Sequence, residues 1–358
     1  VSTLYDVDRT ELGALLTGEP RFRVDQVWEG LYTQRRAPED LTNLPKALRS
    51  RLAAELPPAL RPVAESSSDG GDTVKWLWEL ADGATIETVL MHYPGRSTVC
   101  VSTQAGCAMG CGFCATGQAG FERNLGVGEI VEQVVHAWRR AEASSPPRRL
   151  NNVVFMGMGE PLANYDRTWA AVTRLHDDLG IGARHLTLST VGVVPGIRRL
   201  ATEGLPVNLA VSLHAANDTL RDELVPINRR YPLAELHDAC AAYLEAKNRR
   251  LSLEWAMIDG VNDRAADAEE LADFARSLRA HVNLIPLNAT PGWPTTGSPP
   301  ERVAAFRDLL VDLRVNATIR ANRGTDIDAA CGQLRANHEA TPVVLGRRPP
   351  QPPAVPPY

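Results

Sequence analysis

The chain has 358 residues, 44% hydrophobic and 23% charged, with a net charge of −5. This is the balance of a globular protein with one large core plus a smaller module, and it carries no global sign of nucleic-acid binding. The first residues, VSTLYDVDRTELG, contain no apolar run, and no stretch elsewhere approaches the ~18 apolar residues of a membrane span. A cytoplasmic protein without a membrane segment is therefore expected, its cysteines reduced and available for metal or redox chemistry.

Residues 1–65 read as helical. In FRVDQVWEGLY the residues Phe22, Val24, Val27, Trp28 and Leu31 fall on one stripe, and LTNLPKALRSRLAAEL supplies a second helix. Pro57-Pro58 and the polar run Glu65 to Gly71 mark a boundary. Within residues 66–98, VKWLWEL and ATIETVLM flank Asp82-Gly83, the pattern of a β-hairpin.

From residue 99 short apolar strands alternate with amphipathic helices. Strands are expected at 99–103, 152–157, 186–190, 207–213, 251–258 and 281–287. Between the first two, Val127, Ile130, Val131, Val134 and Trp138 share a helical face. Six βα units make an α/β fold. Each strand runs into polar or glycine-rich residues, as in β/α barrels with their chemistry at the C-terminal strand ends. Six units rather than eight predict a partial (β/α)6 TIM-like barrel over 99–335, preceded by the helical accessory domain and the hairpin extension. The Pro-rich stretch 336–358 is expected to be a disordered tail.

The densest chemical signal is GCAMGCGFCATG, a C-x3-C-x2-C spacing of Cys107, Cys111 and Cys114. Structural zinc takes four ligands, and no second Cys or His pair completes such a set. Three thiolates on a [4Fe–4S] cluster leave one iron open, and Gly106, Ala108, Gly110 and Gly112 let the backbone wrap closely. MGMGEP (156–161) is a tight turn with one carboxylate; Ser189, Ser212, His214 and Asn288 stand at successive strand ends, where together they suggest a ligand pocket. Cys100, Cys240 and Cys331, each taken alone, read as small buried hydrophobes. Trp76, Trp78 and Trp138 read as core, and His136, His176 and His185 as bland surface or loop residues. Arg35-Arg36, Arg139-Arg140, Arg148-Arg149, Arg229-Arg230 and Arg249-Arg250 form local pairs that matter to RNA only if several converge in space.

The cysteine spacing after a first strand resembles the radical S-adenosylmethionine (SAM) superfamily. The motifs IETVLMHYPGRSTVCVSTQAGCAMGCGFCATG, MGMGEPLAN, LSTVGVVPGI, SLHAANDTLRDELVPINRRY, NLIPLN and RGTDIDAACGQLR, in that order, resemble its RlmN/Cfr family of RNA adenine methyltransferases, nearest the RlmN side. The resemblance implies one [4Fe–4S] cluster on Cys107, Cys111 and Cys114, and two SAM molecules per turnover. It places SAM against Gly159, Glu160, Ser189, Ser212, Leu213, His214 and Asn288. It makes Cys331 the carrier of an S-methyl group, from which a 5′-deoxyadenosyl radical takes hydrogen before the methylene radical adds to adenine C2. Adenine C2 is electrophilic, so direct attack on the SAM methyl is closed, whereas a carbon radical adds. Cys100 is implied to resolve the adduct through a transient disulfide with Cys331, and Glu87 to accept the C2 proton; which of Glu87 and Cys100 takes that proton stays open here. The implied partners are 23S rRNA, tRNA and an electron donor such as flavodoxin or ferredoxin, with the chain a monomer. The N-terminal helices become the RNA-binding accessory, with Arg35 and Arg36 suited to phosphate. Three alternatives remain: C8 methylation of the Cfr type, a zinc-binding RNA module without catalysis, and a radical activating enzyme acting on a protein.

Overall fold

The computed structural model describes residues 2–290, 293–330 and 332–334; Cys331 and the Pro-rich stretch lie outside the described residues. The chain opens with α1 (Arg9–Leu15), α2 (Phe22–Trp28) and α3 (Lys46–Glu55). Asp8 caps α1 in a reciprocal bond with Glu11, which satisfies two donors that a helix start leaves open. Val27, Trp28 and Leu31 are buried as their stripe predicts, while Phe22 is 55% exposed and lies off it.

A meander follows: β1 (Arg61–Ser68), β2 (Thr73–Glu79), β3 (Thr85–Tyr93) and β4 (Arg96–Cys100), antiparallel throughout. The expected hairpin is β2–β3. The polar run beginning at Glu65, expected as a boundary, instead enters β1, which pairs Ser66 with Lys75 and Ser68 with Thr73. It is polar because β1 is an edge strand, half of whose surface meets water.

The remaining elements are β5 (Gln104–Gly106), α4 (Ala115–Ala119), β6 (Phe121–Asn124), α5 (Val127–Glu142), β7 (Leu150–Phe155), α6 (Tyr165–Asp177), β8 (Leu186–Thr190) and α7 (Val194–Thr202). After them come β9 (Asn208–Ser212), α8 (Asp218–Leu224), α9 (Leu233–Lys247), β10 (Leu251–Met257), α10 (Ala265–Ser277), β11 (His281–Pro286), α11 (Pro300–Asp312) and β12 (Ala317–Ile319). One sheet runs β1-β2-β3-β4-β7-β8-β9-β10-β11-β12, with β5 and β6 paired apart from it. From β4 to β12 every pairing is parallel, so the six βα units end on a seventh, three-residue strand that sequence reading did not anticipate.

The parallel strands alternate. Val153, Leu188, Leu209, Val211, Leu253, Val282 and Leu284 are buried on the helix-covered face. The concave face presents Asn152, Thr187, Asn208, Ser252, Glu254, Asn283 and Thr318 to a cavity. Parallel strands covered on both faces are apolar nearly throughout, and closed barrels fill their interior with branched side chains. This half-barrel instead keeps a polar lumen.

The helices α1–α3 share one buried core with the barrel. Trp28 Nε1 donates to Asp178 Oδ1 (2.9 Å), Arg174 Nη1 to the carbonyls of Tyr5 (2.9 Å) and Val7 (2.8 Å), and Ala59 N to Glu132 Oε2 (2.8 Å). At the other end, the segment after β12 turns back to the meander. Gly324 N donates to Asp69 Oδ2 (3.2 Å), Ser68 Oγ to Asp326, Lys75 Nζ to Asp328 O (3.3 Å), and Ala115 N to Gly332 O (2.8 Å). It straps the open side of the half-barrel. Among the described residues no helix is long and apolar enough to cross a membrane.

Candidate active site

Cys107, Cys111 and Cys114 lie on the loop between β5 and α4. Cys107 N is tied to Gly120 O (2.6 Å) and Cys114 N to Cys111 O (3.1 Å), which fixes the loop's backbone. Trp293 packs flat against Gly112, where an added Cβ would run into its ring, so this position has no room for a side chain. All three cysteines line one cavity at the C-terminal ends of the strands, together with Gly159, Glu160, Ser189, Ser212 and His214. Six residues distant in sequence thus meet the cysteine loop where the barrel pattern predicts, counting Val191 at the end of β8.

Leu213 and Asn288, also expected against SAM, are not among the residues that line that cavity. Ser212 faces inward, so its neighbour Leu213 turns outward and is fully buried in the core; its carbonyl accepts from Arg221 Nε (3.1 Å). Asn288 is buried, and its Oδ1 accepts from Asn322 Nδ2 (2.8 Å).

Glu160 is enclosed. Its Oε1 accepts from Leu162 N (3.0 Å) and its Oε2 from Val191 N (2.9 Å). Burial pushes its carboxyl up to about 7, against the smaller lowering by those two backbone donors and the Thr190 hydroxyl. A carboxylate held at a cavity wall with its charge this poorly solvated fits a cationic amine. The turn before it requires glycine at Gly159, where φ is +98° and an added Cβ would sit 2.8 Å from Gln104 N. Gln104 Oε1 in turn accepts from Glu160 N (2.8 Å).

His214 has a left-handed backbone, φ 61°, at the end of β9. Its Nδ1 accepts from Ala256 N (3.0 Å) and its ring meets Phe113 edge-on at 4.8 Å. Burial, helped by Arg221, drives it down to about 3, so it remains neutral. Arg221 itself was not singled out by sequence, although it lies within a quoted motif. It is wholly buried and donates to Val191 O (2.6 Å), Asn228 Oδ1 (2.8 Å) and Leu213 O (3.1 Å), clamping the ends of β8 and β9. Its burial pushes it down to about 10.

Burial pushes Cys107 up to about 12 and raises Cys111 as well, with the neighbouring thiols adding to the effect. Thiols in this setting are thiolates when a bound cation compensates them. Among the described residues no three His, Cys, Asp or Glu side chains are grouped to hold a single ion. All three thiols line the one cavity. The donor set therefore fits an iron–sulfur cluster with an open iron, and Glu160 fits the amino end of SAM.

A second cavity adjoins the first. It is lined by Cys100, Cys114, Thr116, Met91, Tyr93, Arg323 and the residues on either side of position 331, Ala330 and Gly332. Met156, Gly157, Cys114 and Gly332 belong to both cavities. The pairing of Cys100 with Val89 puts Cys100 on the same sheet face as Glu87, two residues along β3. Glu87 is buried beside Lys75, Nζ to Oε1 3.0 Å, and lines neither cavity. Cys240 is buried in α9, away from these groups, as packing alone predicts.

Arg35 answers the accessory-domain expectation differently. Its Nη2 bonds Glu142 Oε1 (2.6 Å), its guanidinium lies 4.5 Å from the Trp138 ring centroid, and only 17% of its side chain is exposed. It ties the N-terminal segment to α5.

A parallel half-barrel with three cysteines and a SAM-suited carboxylate at its C-terminal end defines a radical SAM enzyme, and the Radical SAM superfamily model matches residues 101–275. The chain is 52% identical over 350 residues to the "Probable dual-specificity RNA methyltransferase RlmN" of Chloroflexus aurantiacus, covering 94% of this chain and 93% of that protein. It is also 52% identical to "Dual-specificity RNA methyltransferase RlmN 1" of Myxococcus xanthus, covering 94% and 95%. The crystal structure of a radical SAM methyltransferase from Sphaerobacter thermophilus superposes with a TM-score of 0.91 at 51% identity, covering 94% of this chain and 100% of that one. The chain belongs to the RlmN family of dual-specificity RNA methyltransferases.

Proposed function

We propose that this protein methylates C2 of an adenine in 23S rRNA and in tRNA, with the methyl group passing through Cys331. The observation that carries this reading is the shared wall of the two cavities. Cys100 lines a chamber with a cluster cysteine, Cys114, and with both neighbours of Cys331, and that chamber opens onto the SAM-suited pocket. An enzyme that only cleaved SAM to activate a protein partner has no use for a thiol chamber beside its cluster loop.

Cys107, Cys111 and Cys114 would hold the cluster, and Glu160 the ammonium of SAM. When bound, these groups supply an electron, a methyl carbon and the radical that activates it. The rest falls to the chain's own residues. Cys331 carries the methyl as a thioether. Glu87, positioned by the Lys75 ammonium 3.0 Å away, accepts the C2 proton. Cys100 bonds the sulfur of Cys331 as the product leaves. His214, neutral and fixed by Ala256 N, shapes the pocket without adding charge.

The test is anaerobic assay of the cluster-loaded protein on protein-free 23S rRNA with labelled SAM, followed by digestion and identification of the methyladenosine isomer. The 2-methyl isomer is expected. The 8-methyl isomer would overturn the site of transfer, and turnover by Cys331→Ala would overturn the route.

A further inference from the structure

We infer that the target nucleotide enters through the lumen of the half-barrel from the N-terminal ends of its strands, with Arg96, Arg184 and Arg250 binding the flanking phosphates. The inference rests on the RNA-methyltransferase reading above and adds the route and the contacts.

The starting observation is the alternation of the parallel strands. Thr187 in LTLST, Asn208 in NLAVS and Ser252 in LSLEWAM point into a lumen when a filled barrel would place branched apolar groups there. Empty polar space in a fold interior is costly to maintain unless water or a ligand satisfies it. The lumen adjoins the reaction chambers: Met156 and Arg320 line all three cavities, and Met91 and Tyr93 line both the lumen and the Cys100 chamber. The proposed route passes between these shared side chains to the thiols.

Charge identifies the occupant. The lining carries four arginines, Arg96, Arg184, Arg250 and Arg320, and one carboxylate, Glu254, in a chain whose net charge is −5. Glu254 is engaged by Ser252 Oγ (2.6 Å), Asn283 Nδ2 (2.7 Å) and Arg320 Nη1 (4.0 Å), so the positive excess rests on the other three arginines. Three of the arginines form a rim. Arg96 begins β4, Arg184 lies just before β8 and Arg250 just before β10, and all three are exposed. Strand geometry alone brings them to one mouth, because parallel strands share an end. Within that mouth the Tyr93 ring carries the guanidiniums of Arg96 (4.8 Å to its centroid) and Arg323 (5.1 Å), which gathers positive charge on the side toward Cys100, and Asn208 and Asn283 offer donors and acceptors. A polyanion with a detachable aromatic base matches this rim, wall and depth.

The experiment uses the cluster-loaded protein and a fluorescent RNA stem-loop with one unpaired adenine in its loop. Affinity is read by anisotropy across a salt series. Each of Arg96→Gln, Arg184→Gln and Arg250→Gln should flatten the log–log salt slope by about 0.7, and the triple variant should lose about a hundredfold in affinity near 0.1 M salt. SAM binding should be unchanged, which shows that the pocket above remains folded. A second variant, Thr187→Trp, fills the lumen without removing charge; it should keep RNA affinity and SAM binding but lose methyl transfer. Unchanged affinity and slope in the triple variant, or full turnover by Thr187→Trp, overturns the inference. Wild-type protein that binds RNA through these arginines yet methylates nothing would overturn the function and leave the entry route standing.

Discussion

The two ends of the half-barrel are built on opposite plans. At the C-terminal end polar groups are buried and held by the backbone: Glu160 by two main-chain donors, His214 by Ala256 N, Arg221 by carbonyls at the ends of two strands. At the N-terminal end Arg96, Arg184 and Arg250 are long, exposed side chains at or just before the starts of their strands. Buried groups satisfied by fixed partners cannot lose one without leaving others unpaired, whereas exposed cations act singly and additively. The comparison teaches that chemistry is held rigidly at one mouth while a polymer is gripped loosely at the other.

Arg221→Leu tests the rigid end hardest. It strands the carbonyls of Val191 and Leu213 and Asn228 Oδ1 in the core, and should cost about 3 kcal/mol of stability. Chemical denaturation of the SAM-free protein reads it. A cost below about 1 kcal/mol would mean that the strand ends are not clamped and that the two ends differ less than their burial suggests.

Glu160→Gln comes next. The amide puts an NH2 against one of two backbone donors and removes the charge, so SAM affinity should fall by roughly 2 kcal/mol, about 30-fold. The same residue sets a pH dependence. With its carboxyl at about 7 before SAM binds, the anion that an ammonium needs is depleted below that pH. SAM affinity of the wild type should therefore rise with pH between 6 and about 7.5 and be flat in the variant over that range, as titration calorimetry would show. A flat wild-type profile would remove Glu160 from the amino end of SAM.

Lys75→Met lies between the extremes, since Lys75 links Glu87 to the strap through Asp328 O. The turnover rate should fall roughly tenfold with RNA affinity unmoved, because the ion pair that positions Glu87 is lost. Lys75→Arg should restore much of the rate. A loss that Lys75→Arg does not rescue would reduce the pair to a structural contact.

Much of this architecture was legible in the chain because short strands with Leu and Val at alternate positions repeat at regular intervals. The strands beginning at Leu186, Leu251 and His281 stand where that pattern puts them. The cysteine loop was legible because its ligands are adjacent in sequence. Three-residue β12 carries too little pattern to be seen, and β1 was hidden by the serines that an edge strand tolerates. Strand alternation sends the Leu213 side chain to the face opposite Ser212, a distinction that a motif carried whole by resemblance does not make. Arg221 and Lys75 gave no local signal: each matters through partners brought together only by the fold. The arginine rim was half visible, since Arg250 belongs to a noted pair, but convergence at one mouth is a property of parallel strands in space.

The smallest expected effect separates the two readings of basic residues. Arg35 looked in sequence like a phosphate ligand of the N-terminal helices, yet it is shared between Glu142 and the face of Trp138. Arg35→Gln should lower stability by about 1 kcal/mol or less and leave the salt slope of RNA binding unchanged. Under the same conditions Arg184→Gln should flatten the slope and leave stability unchanged. Burial and an ion pair to a carboxylate take Arg35 out of the salt slope, whereas exposed Arg184 contributes to it, and a change of slope in Arg35→Gln equal to that in Arg184→Gln would show that they do not.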